Sequence, residues 1–134
     1  MSVAGKGNFR RPKQESVEEL FGKVPPQNLD AEKAVLGGIL LDNVVIDDLV
    51  QIVKANHFYS DKNTRIFAAI LRLHDAGVRG IDAVTIAEEL DSKGELEEAG
   101  GVLYLHEILE SVPHAAHADY YAKIVRDKSV QRTL

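Results

Sequence analysis

Residues 24–43 read VPPQNLDAEKAVLGGILLDN, and the rest of the chain is organised around them. Pro25-Pro26 fixes an extended lead-in and biases the preceding residue away from helix. Asn28 or Asp30 is then the candidate cap for the orphan amides of a helix. Glu32 falls in the first turn, where the helix dipole favours an anion. Leu29, Leu36, Ile39 and Leu40 follow at helical spacing. Gly37-Gly38 interrupts that apolar face, at about 1 kcal/mol per residue relative to alanine. A helix that carries both glycines needs close backbone approach by a neighbour. Gly37 and Gly38 are therefore expected to be close-packing positions on the central helix of the domain, about residues 29–41.

Asp42-Asn43 punctuates this helix. Val45, Leu49, Ile52 and Val53 recur at i, i+4, i+7 and i+8, which predicts a second helix over about residues 44–54. Phe58-Tyr59 reads as a core plug between helices. Ser60 or Asp61 caps a third helix with Ile66, Phe67, Ile70, Leu71 and Leu73 inward, and Gly77 is its stop. Residues 78–81 make a short connector that does not define a sheet alone. Asp82 caps a fourth helix carrying Val84, Ile86, Ala87 and Leu90, which stops near Lys93-Gly94. Residues 95–99 give at most one turn. Val102, Leu105, Ile108, Leu109 and Val112 predict a fifth helix ended by Pro113. A last helix is expected from near Ala115 or Ala116 to the final residue, with no stop signal, which reads as the front part of a longer chain.

Every long element has a period near 3.6, and no strong strand pair appears. The fold class is therefore all-α, a compact bundle of about six helices with the last one exposed. On that last helix Tyr120, Tyr121, Ile124 and Val125 supply an apolar stripe with no later residues to cover it, so it is expected to mediate self-association.

Upstream, residues 1–15 carry glycine and charge with little periodic hydrophobicity and are expected to be disordered. Ser16 and Glu19 suit a capping box on one short turn. Residues 1–23 hold five Lys/Arg and three Asp/Glu, net +2, whereas residues 24–134 hold eleven and eighteen, net −7. The acidic part is a poor general phosphate binder. The basic tip, Lys6, Arg10, Arg11 and Lys13, is the sole support for an alternative function: a nucleic-acid-binding accessory domain acting through its N-terminal tail.

The chain has no cysteine, hence neither a disulfide frame nor a thiolate metal site. It has no run of about eighteen apolar residues to span a membrane, and its N-terminus lacks a secretory h-region. These features favour a cytoplasmic protein. No G-x-x-x-x-G-K-[ST] phosphate loop occurs. His114 and His117 form H-x-x-H, but only Asp119 offers a further ligand, weakly placed, so both read as exposed polar residues. His57, His74 and His106 are scattered, with no nucleophile motif nearby. The pairs Glu88-Glu89 and Glu97-Glu98 are adjacent along the chain rather than opposed across a cleft. No catalytic residue, cofactor site or metal site is assigned. Tyr104, beside the apolar face of its helix, is a candidate partner contact. These observations describe an acidic, helical protein-interaction module.

The ordered series of short pieces adds more. It comprises Val24-Pro25-Pro26-Gln27, Asp30-Ala31-Glu32, Ala34-Val35-Leu36-Gly37-Gly38, His57-Phe58-Tyr59, Arg65-Ile66-Phe67, Ile81-Asp82-Ala83-Val84-Thr85 and Ala87-Glu88-Glu89-Leu90. It continues with Gly94, Leu96, Gly100-Gly101-Val102, Tyr104-Leu105, Val112-Pro113, Ala115-Ala116, Tyr120-Tyr121-Ala122 and Ile124-Val125-Arg126. In this order and spacing the chain resembles the N-terminal domain of the bacterial replicative DNA helicases of the DnaB type, from residue 24 to residue 134.

The resemblance implies a tail at residues 1–23, a globular helical domain at 24–113, and at 114–134 the start of an extended helical hairpin leading to an absent C-terminal ATPase domain. ATP and Mg2+ are expected for that absent domain and not for this chain. It implies pairing of these domains, a hexamer at full length, and single-stranded DNA held only by the complete ring. It further implies docking of the primase's C-terminal helicase-binding domain, with Tyr104 and Asp30 near the docking surface, and a helicase loader as a further partner. The chain departs from the family pattern at His114 and His117.

Overall fold

Asn28 starts the first helix. Its backbone is extended and its Oδ1 accepts from the Ala31 amide at 3.0 Å, satisfying one of the donors that a helix start leaves unpaired. In the computed structural model, which describes residues 24–112, 115 and 117–134, the helix so begun is α1, Leu29–Leu41. Val35, Leu36 and Ile39 are fully buried. Leu29, expected on the inward stripe, is 41% exposed, because Ala31 and Glu32 take the inward positions of that first turn.

The second helix is shorter than its spacing predicts. The Asp42 carboxylate accepts from the Val44 amide and starts a 3-10 turn, Asn43–Val45. Helix α2 follows at Ile46–Leu49 and ends in tight i→i+3 bonds from Gln51 to Asp48 and from Ile52 to Leu49. The run is dense in β-branched residues, which lose side-chain freedom in a helix. Ile46, Leu49 and Val53 are nonetheless buried, so the apolar period survives although the helix does not. Phe58 enters the core, with its ring 5.0 Å from that of Phe67, while Tyr59 stays exposed.

Of the two capping candidates for α3, Asp61–Asp75, it is Ser60 that accepts from the Asn63 amide. The helix closes on Gly77 at φ +80, with Val78 N bonded to Leu73 O, as a C-terminal left-handed stop requires. The connector that follows finds a side chain instead of a strand. Asn43 Oδ1 accepts from Ile81 N at 2.6 Å, and Asn43 Nδ2 donates to Ile81 O and Ile39 O. Asp82 and Thr85 cap α4, Ala83–Ser92, reciprocally. A turn then leads to α5, Gly101–Ser111, and α6 spans Ala118–Arg132. Pro113, His114 and Ala116 lie outside the described residues, as do residues 1–23 with the expected short turn and basic tip.

Among the described residues there are six α-helices and no strand. Helix α1 is central: α6 and α5 pack along it most extensively, α3 touches it, and α3, α4 and α5 contact one another in sequence. The last helix is not exposed. Ala118, Ala122 and Val125 are buried in the same cluster as Val35, Leu36 and Ile39. The neighbour that covers this stripe is α1, earlier in the chain, where no later residue was needed. Among the described residues no helix is long and apolar enough to cross a membrane.

Candidate protein-docking face

Glu32 is a carboxylate inside the core, only 1% exposed. Its Oε2 accepts from the Tyr59 amide at 2.7 Å, and its Oε1 accepts from the Ser60 amide at 3.3 Å and from Asn63 Nδ2 at 2.9 Å. The two backbone donors immediately precede α3 and the third comes from its first turn. Three donors meet the requirement that a buried charged group be hydrogen-bonded. Asn63 is buried too, and its Oδ1 accepts the Tyr104 hydroxyl at 2.6 Å. The half-buried phenol is held above its ordinary pKa chiefly by desolvation, which keeps it a neutral donor.

From that anchored hydroxyl the Tyr104 ring reaches the surface between two cations. Lys33 Nζ lies 5.8 Å and Lys62 Nζ 5.0 Å from the ring centroid, within cation–π range. Lys33 Nζ is also 2.6 Å from Glu107 Oε2. That hydrogen bond raises the lysine's pKa and lowers the glutamate's. The pair is solvent-accessible and adds little stability, but it fixes where Lys33 stands. Asp30, exposed on the first turn of α1, also acts electrostatically on Lys33. Tyr104 and Asp30 thus share Lys33 as a neighbour. Asp30 in addition lines a cleft of about 340 Å³ with Ala34, Val112, His117 and Tyr121.

Gly100 makes room for this tyrosine. It has φ +99, and a Cβ placed on it would lie 2.6 Å from Tyr104 Cβ. At Gly37 a Cβ would stand 2.5 Å from Val112 Cγ2 and 3.0 Å from Ile108 O; at Gly38 it would stand 3.1 Å from Ala118 Cβ. The α1 glycines therefore face α5 and α6 respectively.

The four residues expected to form an uncovered stripe divide. Val125 is 1% exposed, and Ile124 and Tyr121 pack against the core. Only Tyr120 projects, at 61% exposure, its ring edge-on to Tyr121. Val84 and Val102, expected on inward faces, are exposed as well. They stand in the first turns of α4 and α5, where Ile86, Leu90, Leu105 and Ile108 already supply the buried positions, and with Ala87 and Glu88 they line a shallow groove.

Sequence reasoning missed Glu32 and Asn63 as buried partners and Gly100 as the space for Tyr104. A signal was present for the first two: both are polar residues at positions where the helical period places an apolar one.

Comparison with known proteins agrees with this architecture. A family profile, the DnaB-like helicase N terminal domain, matches residues 24–127. The chain is 45% identical over 116 residues to the replicative DNA helicase DnaB of Mycobacterium leprae (strain TN), covering 87% of this chain and 19% of that protein. It is 44% identical over 119 residues to the replicative DNA helicase DnaB of Geobacillus stearothermophilus, covering 88% and 26%. The chain thus spans only 19% and 26% of the lengths of these two curated relatives. It is also similar to the crystal structure of the N-terminal domain of DnaB helicase from Mycobacterium tuberculosis, with a TM-score of 0.80 and 44% identity, covering 83% of this chain and 76% of that one. The chain belongs to the DnaB-like helicase N-terminal domain family.

Proposed function

We propose that the chain is the assembly and partner-docking domain of a replicative DNA helicase, a longer cytoplasmic protein that unwinds duplex DNA at the replication fork with ATP. Family membership supports the helicase context, and the greater length of the relatives supports a further domain. ATP and Mg2+ belong to that domain. The described residues contain no group of three or more His, Cys, Asp or Glu fit to hold a metal ion, and the sequence has no phosphate loop. The domain's own work is to pair with copies of itself in a hexameric ring and to receive the primase's C-terminal helicase-binding domain, with a loader as a further partner. Single-stranded DNA is held by the complete ring.

The observation that carries the docking role is Tyr104: an aromatic ring at the surface, its hydroxyl fixed to a buried asparagine, with charges of both signs around it. A side chain already held in place loses little freedom on binding, and tyrosine is among the residues that dominate interface energies. Calorimetric titration of the primase C-terminal domain into this chain is expected to show binding that Tyr104→Ala weakens by roughly 2 kcal/mol, or about thirtyfold. Affinity unchanged by Tyr104→Ala in a variant of normal melting temperature would contradict this reading. Salt-sensitive binding of single-stranded DNA, lost on deleting residues 1–13, would favour the tail-mediated alternative.

A further inference from the structure

Arg132, at the end of α6, reaches back to the start of the described chain. Its Nη1 donates to Pro26 O at 2.8 Å and its Nη2 to His57 O at 2.6 Å. Its guanidinium carbon stands 5.4 Å from the Tyr59 ring centroid. Two of these three contacts fall on residues 57–60, the segment whose Tyr59 and Ser60 amides donate to Glu32. That segment is therefore gripped from two sides, at a carbonyl and a ring by Arg132 and at two amides by Glu32. Glu32 also accepts from Asn63, and Asn63 accepts the Tyr104 hydroxyl. The contacts run without a gap from Arg132 through residues 57–60, Glu32 and Asn63 to Tyr104.

We propose that these contacts form a polar relay that couples the seating of α6 to the geometry of the Tyr104 face. Lifting the end of α6 removes the anchor from His57 O and the Tyr59 ring. Residues 57–60 then loosen, and the two amides held by Glu32 loosen with them. A buried carboxylate short of donors draws on the one that remains, Asn63 Nδ2, and turning Asn63 withdraws the acceptor from Tyr104. By linkage the influence runs both ways: an event at Tyr104 that alters Asn63 changes how firmly α6 is held. The regulatory use of this coupling rests on the docking role proposed for Tyr104, on which reading partner binding is sensed at the end of α6; the coupling itself does not. The relay is an energetic link and is tested as one.

The experiment is residue-resolved NMR and amide exchange on the isotope-labelled chain with no partner present. Arg132→Met keeps an apolar stem and removes the guanidinium. It is expected to shift the Asn63 side-chain amide pair and the Tyr104 ring signals. It is also expected to speed exchange of the Tyr59 and Ser60 amides about tenfold or more, the ratio that loss of a hydrogen bond involving a charged group implies. Amides of α4, outside the relay, keep their wild-type shifts and rates. From the other end, Tyr104→Phe is expected to shift the Arg132 Nε–H and Ser60 amide signals. Asn63 and Tyr104 signals unmoved by Arg132→Met would overturn the proposal, as would a uniform rise in exchange over all six helices. If Arg132→Met does not fold, Tyr104→Phe decides, and unmoved Arg132 and Ser60 signals overturn it. With no partner in the tube, these outcomes are independent of docking: an intact relay with no primase binding removes the docking role alone.

Discussion

Glu32 lies three and four residues before Val35 and Leu36, and Asn63 stands in the same relation to Ile66 and Phe67. The helical period makes both positions inward, and each holds a polar group that the fold must satisfy. Glu32→Ala strands the Tyr59 and Ser60 amides and Asn63 Nδ2. At about 1–3 kcal/mol for each buried unpaired group, the expected loss is roughly 3 kcal/mol or more. Asp61→Ala removes only an exposed partner of Arg65 and is expected to cost less than about 1 kcal/mol. Urea denaturation of both variants checks this, and equal losses would contradict it. Gly37→Leu is expected to overpack against Val112 and Ile108 by about 1–3 kcal/mol or more; a wild-type melting temperature would contradict the close approach. Tyr104 could be singled out from the sequence because it flanks an apolar helical face. Its hydroxyl's partner could not, since Asn63 lies 41 residues away and spacing says nothing of which helix faces which.

Helix existence was legible wherever a cap met a long apolar period, as with Asn28, Ser60 and Asp82. It failed at residues 44–54, where the period of burial is helical but β-branched residues and i→i+3 bonds cut the helix short. Period also says which side of a helix is apolar, not what covers it. Val125 and Tyr120 lie on one helix and differ in burial because only Val125 falls on the side that joins the core cluster. Val125→Asp places a charge in the core cluster that seats α6 and is expected to destabilise by more than about 3 kcal/mol. Tyr120→Ala is expected to stay within about 0.5 kcal/mol. Denaturant midpoints for the two variants check this, and comparable losses would contradict the docked position of α6.

Taken whole, residues 24–134 form an acidic body carrying net charge −7, with lysines gathered about one aromatic ring and a separate apolar groove at α4 and α5. Charge and composition alone pointed to a protein partner rather than nucleic acid; which face receives it depends on contacts between helices distant in sequence. Chemical-shift mapping locates that face. Unlabelled primase C-terminal domain titrated into the 15N-labelled chain is predicted to perturb Tyr104, Lys33, Lys62, Glu107 and Asp30 at the lowest concentrations. Perturbations confined to the groove at Val84 and Ala87, or to Tyr120 and Val130 on the outer side of α6, with Tyr104 and Lys33 unmoved, would contradict a docking face built on Tyr104.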